Sequence, residues 1–569
     1  MNLENRKYII IGIFVTIILI FLIRLFSLQV IQDKWKKKAA NITERKITIY
    51  PSRGLIYDRN GKLLVANRPV YDLMVVPTKV SIKDTVKFCD LVGITKQEFK
   101  KKMKKATTPP NSPYKASIFE KQIKGDNYAK IAQHLFRYKG FYGQKRTLRS
   151  YKMGIAPHTL GYVSEVNATT VKNNSYYQAG DLIGASGLEK EYEKYLRGRK
   201  GVKYVVVDVF NNKKGPYMDG AYDTLAKPAK DLTTTLDAEL QKYGEKLMKN
   251  KIGSIVAIEP SSGEILAMVS SPSYNPNKLV GRVRSKHYPK LSKDTLRPLF
   301  NRTLNSEYPP GSIFKIVQSL IGMNEGILTP KTEFYCDGSV IGDHVSPGYY
   351  NLFEAIRSSS NMYFYLAFKK MILRGKKDDV FKDARYGLKI WKNQVTSLGI
   401  GKKLDVDCGD TKAGFVPGPK YYNKIYGKGR WGFSTIYSLS IGQGELILTP
   451  LHMANFTSII ANRGSYYMPH VVKRIGDTIP IDKKYRKKRQ TKFDSSYFNI
   501  PIKAMEAVVE SPQGTARRAK SDSIKILGKT GTVQNPHGED HSVFIAFAPK
   551  DEPKIALATY VENAGFGGT

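Results

Sequence analysis

The sequence has too few cysteines for a disulfide-stabilised fold or a zinc-stabilised one. Only three occur among its 569 residues: Cys89, Cys336 and Cys408. They lie far apart and form no Cys-x-x-Cys pair, so at most one disulfide bond is available and zinc fingers or ribbons are excluded. A chain of this length has room for several domains and a large buried core.

Acidic residues are also scarce. The chain has 49 Asp and Glu against 92 Lys and Arg, which gives a formal net charge of +43. This balance disfavours an acidic disordered protein, and a hydrophobic fraction of 41% excludes disorder of the whole chain. A strong positive charge suits work beside nucleic acid, phospholipid head groups or an anionic wall. The basic runs at residues 100–105 and 483–489 come with no recognisable nucleic-acid-binding module, so we expect no nucleic-acid partner.

One apolar run stands out near the start of the chain. Residues 8–23 carry no charge, and the apolar character resumes after Arg24. A helix over residues 8–30 would be about 35 Å long, enough to cross a bilayer. The run is long for a signal peptide, and no small-residue cleavage site follows it. We predict a transmembrane anchor at 8–30 after a cytoplasmic tail at 1–7. The alternative is a buried core helix. A count of the Lys and Arg residues on each side of the anchor would, taken alone, place the rest of the chain inside the cell.

The rest of the chain divides where the sequence loosens, near residue 225. Beyond that point, residues 253–259 and 264–269 read as a hairpin, and 524–528, 542–548 and 554–562 read as strands. Helical patterns fill the interval between them. We therefore predict an α+β domain at 226–569, in which both ends of the domain complete one antiparallel sheet, and a mixed α/β domain at 31–225.

The first motif with chemical content is Pro309-Pro-Gly-Ser-Ile-Phe-Lys315. The prolines and the glycine break the preceding structure, and a largely apolar helix follows. Ser312 should then lie at the helix N-terminus, with the amine of Lys315 one turn along and within reach of its hydroxyl. A lysine buried in such a helix can lose its proton near neutral pH and act as a base. The second Ser-x-x-Lys match, at Ser112, lies in a polar stretch without such a helix and is attributed to chance.

The second motif is Ser359-Ser-Asn361, between two apolar helical turns. A loop between helices can aim a hydroxyl and an amide into a cleft. Alone, the pattern is weak, and helix capping explains Ser359 and Asn361 equally well.

The third motif is Lys529-Thr-Gly-Thr532, after the predicted strand 524–528. On a strand edge, Lys529 and Thr530 can bind a carboxylate, and Gly531 lets a substrate backbone approach closely. The alternative for this motif taken alone is an ordinary exposed strand end. In this order, the three motifs form the signature of penicillin-binding proteins and serine β-lactamases.

Further motifs extend the resemblance over nearly the whole chain. The sequence resembles the class B penicillin-binding proteins of the elongation type. The matching segments are Arg53-Gly-Leu-Ile-Tyr-Asp-Arg-Asn-Gly61, Gly187-Leu-Glu-Lys190 with Leu196-Arg-Gly198, Ser440-Ile-Gly-Gln-Gly-Glu445, Thr449-Pro450, Ala461-Asn-Arg-Gly464 and Gly514-Thr-Ala-Arg517. The resemblance implies a single-pass inner-membrane protein with a pedestal or dimerisation domain at 31–225 and a periplasmic transpeptidase domain at 226–569. The family domain ends in a closing helix, so we expect this sequence to stop short of that end.

The resemblance implies a penicillin-sensitive peptidoglycan D,D-transpeptidase that acts in cell elongation and cell shape. Its substrates would be stem peptides, with β-lactams as inhibitors and D-Ala-D-Ala carboxypeptidase activity as a side reaction. Its partners would be the membrane, a SEDS-family glycosyltransferase and scaffold proteins of the elongation complex. The resemblance implies that Ser312 is the nucleophile, Lys315 the base and Ser359 the proton relay. Asn361 would contact the substrate amide, and Lys529 and Thr530 would bind the substrate carboxylate. Thr532 would contribute to the oxyanion hole, and Gly531 would let the substrate backbone approach.

Relatives of this type can carry a metal between the first two motifs. Cys336, Asp343 and His344 lie there, with Asp337 beside Cys336, and are weak candidates as zinc ligands, because their spacing is irregular and the sequence does not identify a fourth ligand. The alternative is a small loop with a buried cysteine. We expect no cofactor.

Two other classes of function fit the motifs less well. A β-lactamase or carboxypeptidase would pass the acyl group to water, but no water-activating glutamate is evident beside Ser312. A binding or scaffold protein with dispensable chemistry would show a decayed Ser, Lys or Lys-Thr-Gly, and none is decayed.

Overall fold

A computed structural model of the chain describes residues 3–27, 44–109, 111–178, 180–207 and 213–568. Twenty strands are present in this part of the chain: β1 Glu44–Ile49, β2 Ile56–Tyr57, β3 Leu63–Val75, β4 Ser117–Lys124, β5 Phe141–Tyr151, β6 Val163–Glu165, β7 Leu182–Gly184, β8 Gly201–Val207, β9 Lys213–Pro216, β10 Leu232–Thr234, β11 Gly253–Ile258, β12 Ile265–Ser271, β13 Phe334–Cys336, β14 Gly348–Tyr350, β15 Ser465–Tyr466, β16 Val472–Ile475, β17 Arg489–Gln490, β18 Leu527–Val533, β19 His541–Ala548 and β20 Ile555–Val561.

The α-helices of the same part are α1 Leu3–Phe26, α2 Thr85–Val92, α3 Lys96–Thr107, α4 Gly125–Ala132, α5 Pro157–Leu160, α6 Ala168–Asn173, α7 Gly187–Glu191, α8 Glu193–Leu196, α9 Ala238–Leu247, α10 Arg284–Lys293, α11 Arg302–Asn305, α12 Lys315–Asn324, α13 Leu352–Ser358, α14 Asn361–Ile372, α15 Val380–Ser397, α16 Pro419–Tyr426, α17 Phe433–Ile436, α18 Pro450–Ala461, α19 Lys483–Arg486 and α20 Asn499–Glu510.

The chain forms two compact units. The smaller comprises Met1–Arg53, Pro69–Thr147 and Arg197–Ala229, and the larger comprises Gly54–Arg68, Leu148–Leu196 and Lys230–Thr569. In the smaller unit, β1, β8 and β9 form an antiparallel sheet, and β3 pairs with β4. Its core is aromatic, with Phe88 in contact with the rings of Phe119 and Phe141.

The larger unit is built around one antiparallel sheet of five strands, in the order β12-β11-β20-β19-β18. Two of its strands come from the start of the unit's longest segment and three from its end. Helix α18 packs against β20 and β11, and all twelve of its residues are buried. Thr449 starts this helix by accepting a hydrogen bond from the His452 backbone, and Pro450 occupies the first turn, where no amide hydrogen is needed. The predicted α+β fold, with one sheet completed by both ends, is confirmed.

The third motif lies within a strand, whereas the sequence placed it after one. The sequence placed a strand at 524–528 and the motif after it, but β18 runs from Leu527 to Val533 and contains the motif. The reason is pairing: Lys529 lies opposite Ile545, and Thr532 lies opposite Ser542, in the ladder with β19. Cross-strand pairing overrides the low strand propensity of lysine and glycine.

The predicted membrane anchor is not confirmed. Helix α1 covers part of it, and residues 28–30 lie outside the described part of the chain. Among the residues that the structure describes, no helix meets the length and apolarity that crossing a membrane requires.

A buried ion pair joins two of the family motifs within the larger unit. Arg149 Nε lies 2.6 Å from Glu189 Oε1, and the two side chains are 2% and 0% exposed. The same guanidinium donates to the backbone oxygen of Gly54 at 2.7 Å and to Asn67 Oδ1 at 3.0 Å. Arg149 therefore connects the segment after Arg53 to the helix that begins at Gly187.

We predict that Arg149→Met lowers the free energy of unfolding by about 3–5 kcal/mol, because it leaves the Glu189 carboxylate buried without its cation. Chemical denaturation of the purified protein measures the change. Adding Glu189→Leu to Arg149→Met should restore part of the loss. A single variant as stable as the wild type would contradict this account of the pair.

Candidate active site

Ser312 lies on a tight turn that the surrounding backbone holds in place. Residues Gly311–Phe314 form a 3-10 turn that leads directly into α12. Gly311 has φ +59°, and a Cβ atom there would lie 2.8 Å from the Thr532 backbone oxygen. Only glycine fits this position, and the approach brings the third motif against the turn. The Ser312 side chain is partly exposed, whereas Ile313 and Phe314 are buried.

A second glycine fixes the same turn from the other side. The Gly311 amide donates to the Gly442 backbone oxygen at 2.8 Å. Gly442 has φ +73°, and a Cβ atom there would lie 2.3 Å from the Gly311 oxygen. The segment from Ser440 to Glu445, which the sequence marked only as a family motif, therefore positions the residue before Ser312.

Lys315 points its amine at the second motif. Its Nζ donates to the Ser359 backbone oxygen at 2.6 Å and to Asn361 Oδ1 at 2.7 Å, and it lies 3.4 Å from Ser359 Oγ. The sequence predicted that this amine reaches the Ser312 hydroxyl. Within the described residues no hydrogen bond joins the two, because the amine is held by the oxygens of the second motif instead.

The second motif forms the junction between α13 and α14. Ser359 ends α13 with φ +62°, a conformation that is strained for a residue other than glycine and is concentrated at functional sites. Ser360, rather than Ser359 or Asn361, caps α14 by accepting a hydrogen bond from the Tyr363 amide. Capping therefore does not account for the side chains of Ser359 and Asn361.

Lys529 reaches the same hydroxyl from the sheet. Its Nζ donates to Ser359 Oγ at 2.7 Å and to the Thr530 backbone oxygen at 3.0 Å. The three motifs, which are far apart in sequence, thus meet at Ser359, with one lysine from the helix and one from β18 on its hydroxyl. Two of the predicted site residues, Lys315 and Lys529, therefore meet at the hydroxyl of a third, Ser359.

The site lowers the pKa of both lysines. Complete burial lowers the pKa of Lys315 to about 7, and the negative charge of Asp343 partly opposes this fall. Burial also lowers the pKa of Lys529 well below its usual value, and the neighbouring Lys315 lowers it further. Two buried amines on one hydroxyl cannot both keep a full charge. The pair therefore holds at least one neutral amine near pH 7, which can accept a proton.

Thr515 is a contributor that the sequence marked only by its family motif. Its hydroxyl lies 2.7 Å from that of Thr530, and either can donate. Gly531 is also closely packed, since a Cβ atom there would lie 3.2 Å from the Ser312 backbone nitrogen. No local pattern could have identified the contact of Thr515 with Thr530, because it depends on how the end of α20 meets β18.

The candidate zinc ligands have other partners in the structure. Asp343 Oδ2 accepts hydrogen bonds from Ser360 Oγ at 2.6 Å and from the Met362 amide at 2.8 Å. His344 Nε2 lies 2.8 Å from the Ser358 backbone oxygen, and Cys336 is fully buried. In the described ranges of the chain, no three His, Cys, Asp or Glu side chains are grouped as metal ligands. Asp343 instead fixes the start of α14, which carries Asn361.

Comparison with known proteins identifies the domains. A family model described as the penicillin binding protein transpeptidase domain matches residues 253–569, more than half of the chain. A second model, the penicillin-binding protein dimerisation domain, matches residues 48–234. Peptidoglycan D,D-transpeptidase MrdA of Acinetobacter baumannii is 30% identical, and the alignment covers 100% of this chain and 86% of that protein.

Solved structures give the same result. PBP2 of Helicobacter pylori in complex with MreC has a TM-score of 0.74 and 26% identity, covering 92% of this chain and 97% of that one. A chain of a peptidoglycan synthase complex described as coordinating polymerization and crosslinking has a TM-score of 0.71 and 25% identity, covering 99% of this chain and 96% of that one. The chain therefore belongs to the class B penicillin-binding proteins, the family that its sequence motifs predicted.

Proposed function

We propose that the chain is a serine D,D-transpeptidase that cross-links the stem peptides of peptidoglycan. One observation carries the proposal: the hydroxyl of Ser359 lies between the amines of Lys315 and Lys529, at 3.4 Å and 2.7 Å. This arrangement can move a proton between a base, a relay and an amine without water. The site lies beside Ser312, a partly exposed hydroxyl on a rigid turn.

In the proposed reaction, Ser312 Oγ attacks the carbonyl carbon between the two terminal D-Ala residues of a stem peptide. The neutral amine of Lys315 takes the hydroxyl proton, and the backbone amides of Ser312 and Thr532 stabilise the oxyanion by a few kcal/mol. The D-Ala–D-Ala bond breaks, and Ser359 delivers a proton to the departing amine. An amine of a neighbouring stem peptide then attacks the ester, which releases Ser312 and closes the cross-link.

The other polar groups bind and orient the donor peptide. Asn361 holds a substrate amide, while Lys529 and the Thr530 hydroxyl bind the terminal carboxylate. A bound carboxylate favours the charged form of Lys529, so substrate binding itself would return the proton that burial disfavours. Gly531 lets β18 lie close to the Ser312 backbone, which keeps the carboxylate-binding strand beside the nucleophile.

The test is an assay with glycan strands that carry pentapeptide stems. A transpeptidase gives cross-linked dimers and free D-Ala in equal amounts, and benzylpenicillin abolishes both products. Free D-Ala without dimers would show a carboxypeptidase, and repeated turnover of penicillin to penicilloic acid would show a β-lactamase. Either of these results alone would overturn the proposal, whereas a small excess of D-Ala over dimers fits a carboxypeptidase side activity.

The pKa of Lys315 gives a pH dependence that can be measured. With the pKa lowered from 10.5 to about 7, the amine accepts a proton only above this range. The rate constant for acylation by penicillin should therefore rise with about a tenfold slope per pH unit below pH 7 and level off above it. Stopped-flow acylation between pH 5 and 9 measures this profile, and a rate that is flat from pH 5 to 8 would contradict the role of Lys315 as base.

We propose that the chain is anchored in the inner membrane with its catalytic unit in the periplasm. Support comes from α1, where apolar side chains such as Phe14, Phe21 and Ile23 are more than 60% exposed. Neither of the two matched family models is a glycosyltransferase, so glycan polymerisation requires a partner. We propose a SEDS-family glycosyltransferase and scaffold proteins of the elongation complex, since solved relatives occur with MreC and in a peptidoglycan synthase complex.

The predicted pedestal domain, residues 31–225, should bind these partners rather than take part in catalysis. Asn60 and Lys62 are exposed on the turn of the first family motif, where they bind Asp237 and Glu239, and neither belongs to the catalytic site. We predict that Asn60→Ala and Lys62→Ala leave penicillin acylation near the wild-type rate but impair growth and cell shape in a strain that depends on this protein. Folded variants that lose acylation and still support growth would contradict this division of roles.

A further inference from the structure

A cavity of about 420 Å³ lies in the larger unit, apart from the residues of the catalytic site. Its volume is within the usual range for small-molecule sites. Its walls combine aromatic rings with side-chain amides, and the residues that the argument uses are Tyr162, Tyr274, Tyr288, Phe300, Asn301 and Asn305. Neither the family models nor the proposed reaction gives this cavity a role.

The aromatic wall is rigid before any ligand binds. The Arg284 guanidinium lies 4.2 Å from the ring centre of Tyr288 and 5.4 Å from that of Tyr162, so one cation stacks with both rings. Tyr274 meets Tyr162 edge to face at 6.5 Å, and its hydroxyl donates to the Pro157 backbone oxygen at 3.0 Å. Rings held in this way can bind the apolar face of a ligand with little further loss of side-chain freedom.

The polar groups of the cavity leave hydrogen-bonding capacity for a ligand. Asn301 Oδ1 accepts hydrogen bonds from Thr303, which leaves the Asn301 amide hydrogens for other partners. The Asn305 side chain makes no hydrogen bond within the described part of the chain.

The charges at the rim are already compensated. Lys190 lies 3.9 Å from Glu191, and Asp410 forms an ion pair with Lys403 at 2.9 Å. Each charged side chain of the wall thus already has an oppositely charged neighbour, which suits a neutral ligand. A ligand that matches the aromatic rings, the side-chain amides and the paired charges of this cavity would have an apolar face, several hydroxyls and an amide group.

We infer that this cavity binds an N-acetylated amino sugar of the glycan strand. The pyranose ring offers its C–H face to Tyr162 or Tyr288, and its hydroxyls and acetamido group pair with Asn301 and Asn305. The inference rests on the proposed function, because it gives the same enzyme a second contact with its polymeric substrate. A glycan held here would raise the local concentration of stem peptides at the catalytic site.

The test uses the full-length chain after complete acylation by benzylpenicillin, with chitotriose as the probe and saturation-transfer NMR as the readout. Blocked wild-type protein should transfer saturation to the acetyl and ring protons of chitotriose. Tyr288→Ala and Asn305→Ala should each weaken chitotriose binding by about three- to tenfold, in line with the loss of one ring contact or one amide contact. Tyr288→Phe should keep most of the affinity, because the ring remains.

The matched control is Tyr243→Ala, which removes an exposed tyrosine of α9 that does not line the cavity and should leave binding unchanged. Three results would overturn the inference: no transfer to blocked wild-type protein, equal affinity in Tyr288→Ala and wild type, or binding that penicillin abolishes. Acylation rates measured on the same proteins test the proposed function separately. If penicillin fails to acylate the protein, chitotriose binding is measured on unblocked protein, and the comparison of wild type with Tyr288→Ala and Asn305→Ala still tests the inference.

Discussion

Ser312→Ala should reduce covalent labelling by penicillin to the background level. Acylation needs an oxygen nucleophile, and the methyl group of alanine offers none. The turn that carries Ser312 is held by the backbone contacts of Gly311 with Gly442 and Thr532, so the substitution should not disturb the fold. Mass spectrometry of the intact protein after incubation with benzylpenicillin gives the number of adducts, and peptide mapping locates them.

The control for this experiment is Ser112→Ala, which alters the other Ser-x-x-Lys match. Residues 112–115 lie in a turn of the smaller unit, where no helix follows the serine. Labelling of this variant should equal that of the wild type. A penicilloyl adduct that survives Ser312→Ala would show that another residue is the nucleophile.

The local structure of the first two motifs could be predicted from the sequence because each carries its own turn and helix signals. The proline and glycine residues before Ser312 predict a turn, and the apolar residues after it predict a buried helix. The order of the three motifs then identifies the family, although no single motif does. Local pattern was sufficient for the first two motifs, whose backbone setting is determined within a few positions, but not for the third, whose strand depends on pairing with β19.

The partners within the site could not be predicted, since they depend on packing between distant segments. The amine of Lys315 donates to Ser359 and Asn361 and, in the described part of the chain, makes no hydrogen bond with Ser312, because α12 faces the junction of α13 and α14. Asp343 looked like a metal ligand by residue type, but its hydrogen bonds support the start of α14. The extent of β18 likewise follows from its pairing with β19.

The two lysines of the site have different charge states in the proposed reaction. Both are fully buried, and both contact the Ser359 hydroxyl. Asp343 lies close enough to raise the pKa of Lys315, whereas Lys529 is affected by burial and by Lys315 alone. Before substrate binds, burial disfavours the charged form of both amines. A substrate carboxylate favours the charged form of Lys529, and that charge in turn disfavours a proton on Lys315, which is then neutral when Ser312 must be deprotonated.

Lys315→Arg should abolish this step. Guanidinium stays protonated at every pH at which the protein is folded, so it cannot accept the proton of Ser312. We expect the acylation rate constant to fall by at least about 10³-fold, as for loss of a general base that acts in the same step as the nucleophile. Stopped-flow measurements with a chromogenic cephalosporin cover this range of rates.

Arginine is larger than lysine, and the Lys315 pocket is fully closed, so a second variant is needed to separate chemistry from packing. Lys315→Met keeps the length of the side chain, removes the amine and suits the apolar part of the pocket, where the Phe364 ring lies 5.9 Å from Nζ. It should stay folded and be as slow as Lys315→Arg, while Lys369→Arg, an exposed substitution on α14, should acylate at the wild-type rate. If Lys315→Met unfolds more readily but its folded fraction acylates normally, the lysine is structural and the base must be Lys529.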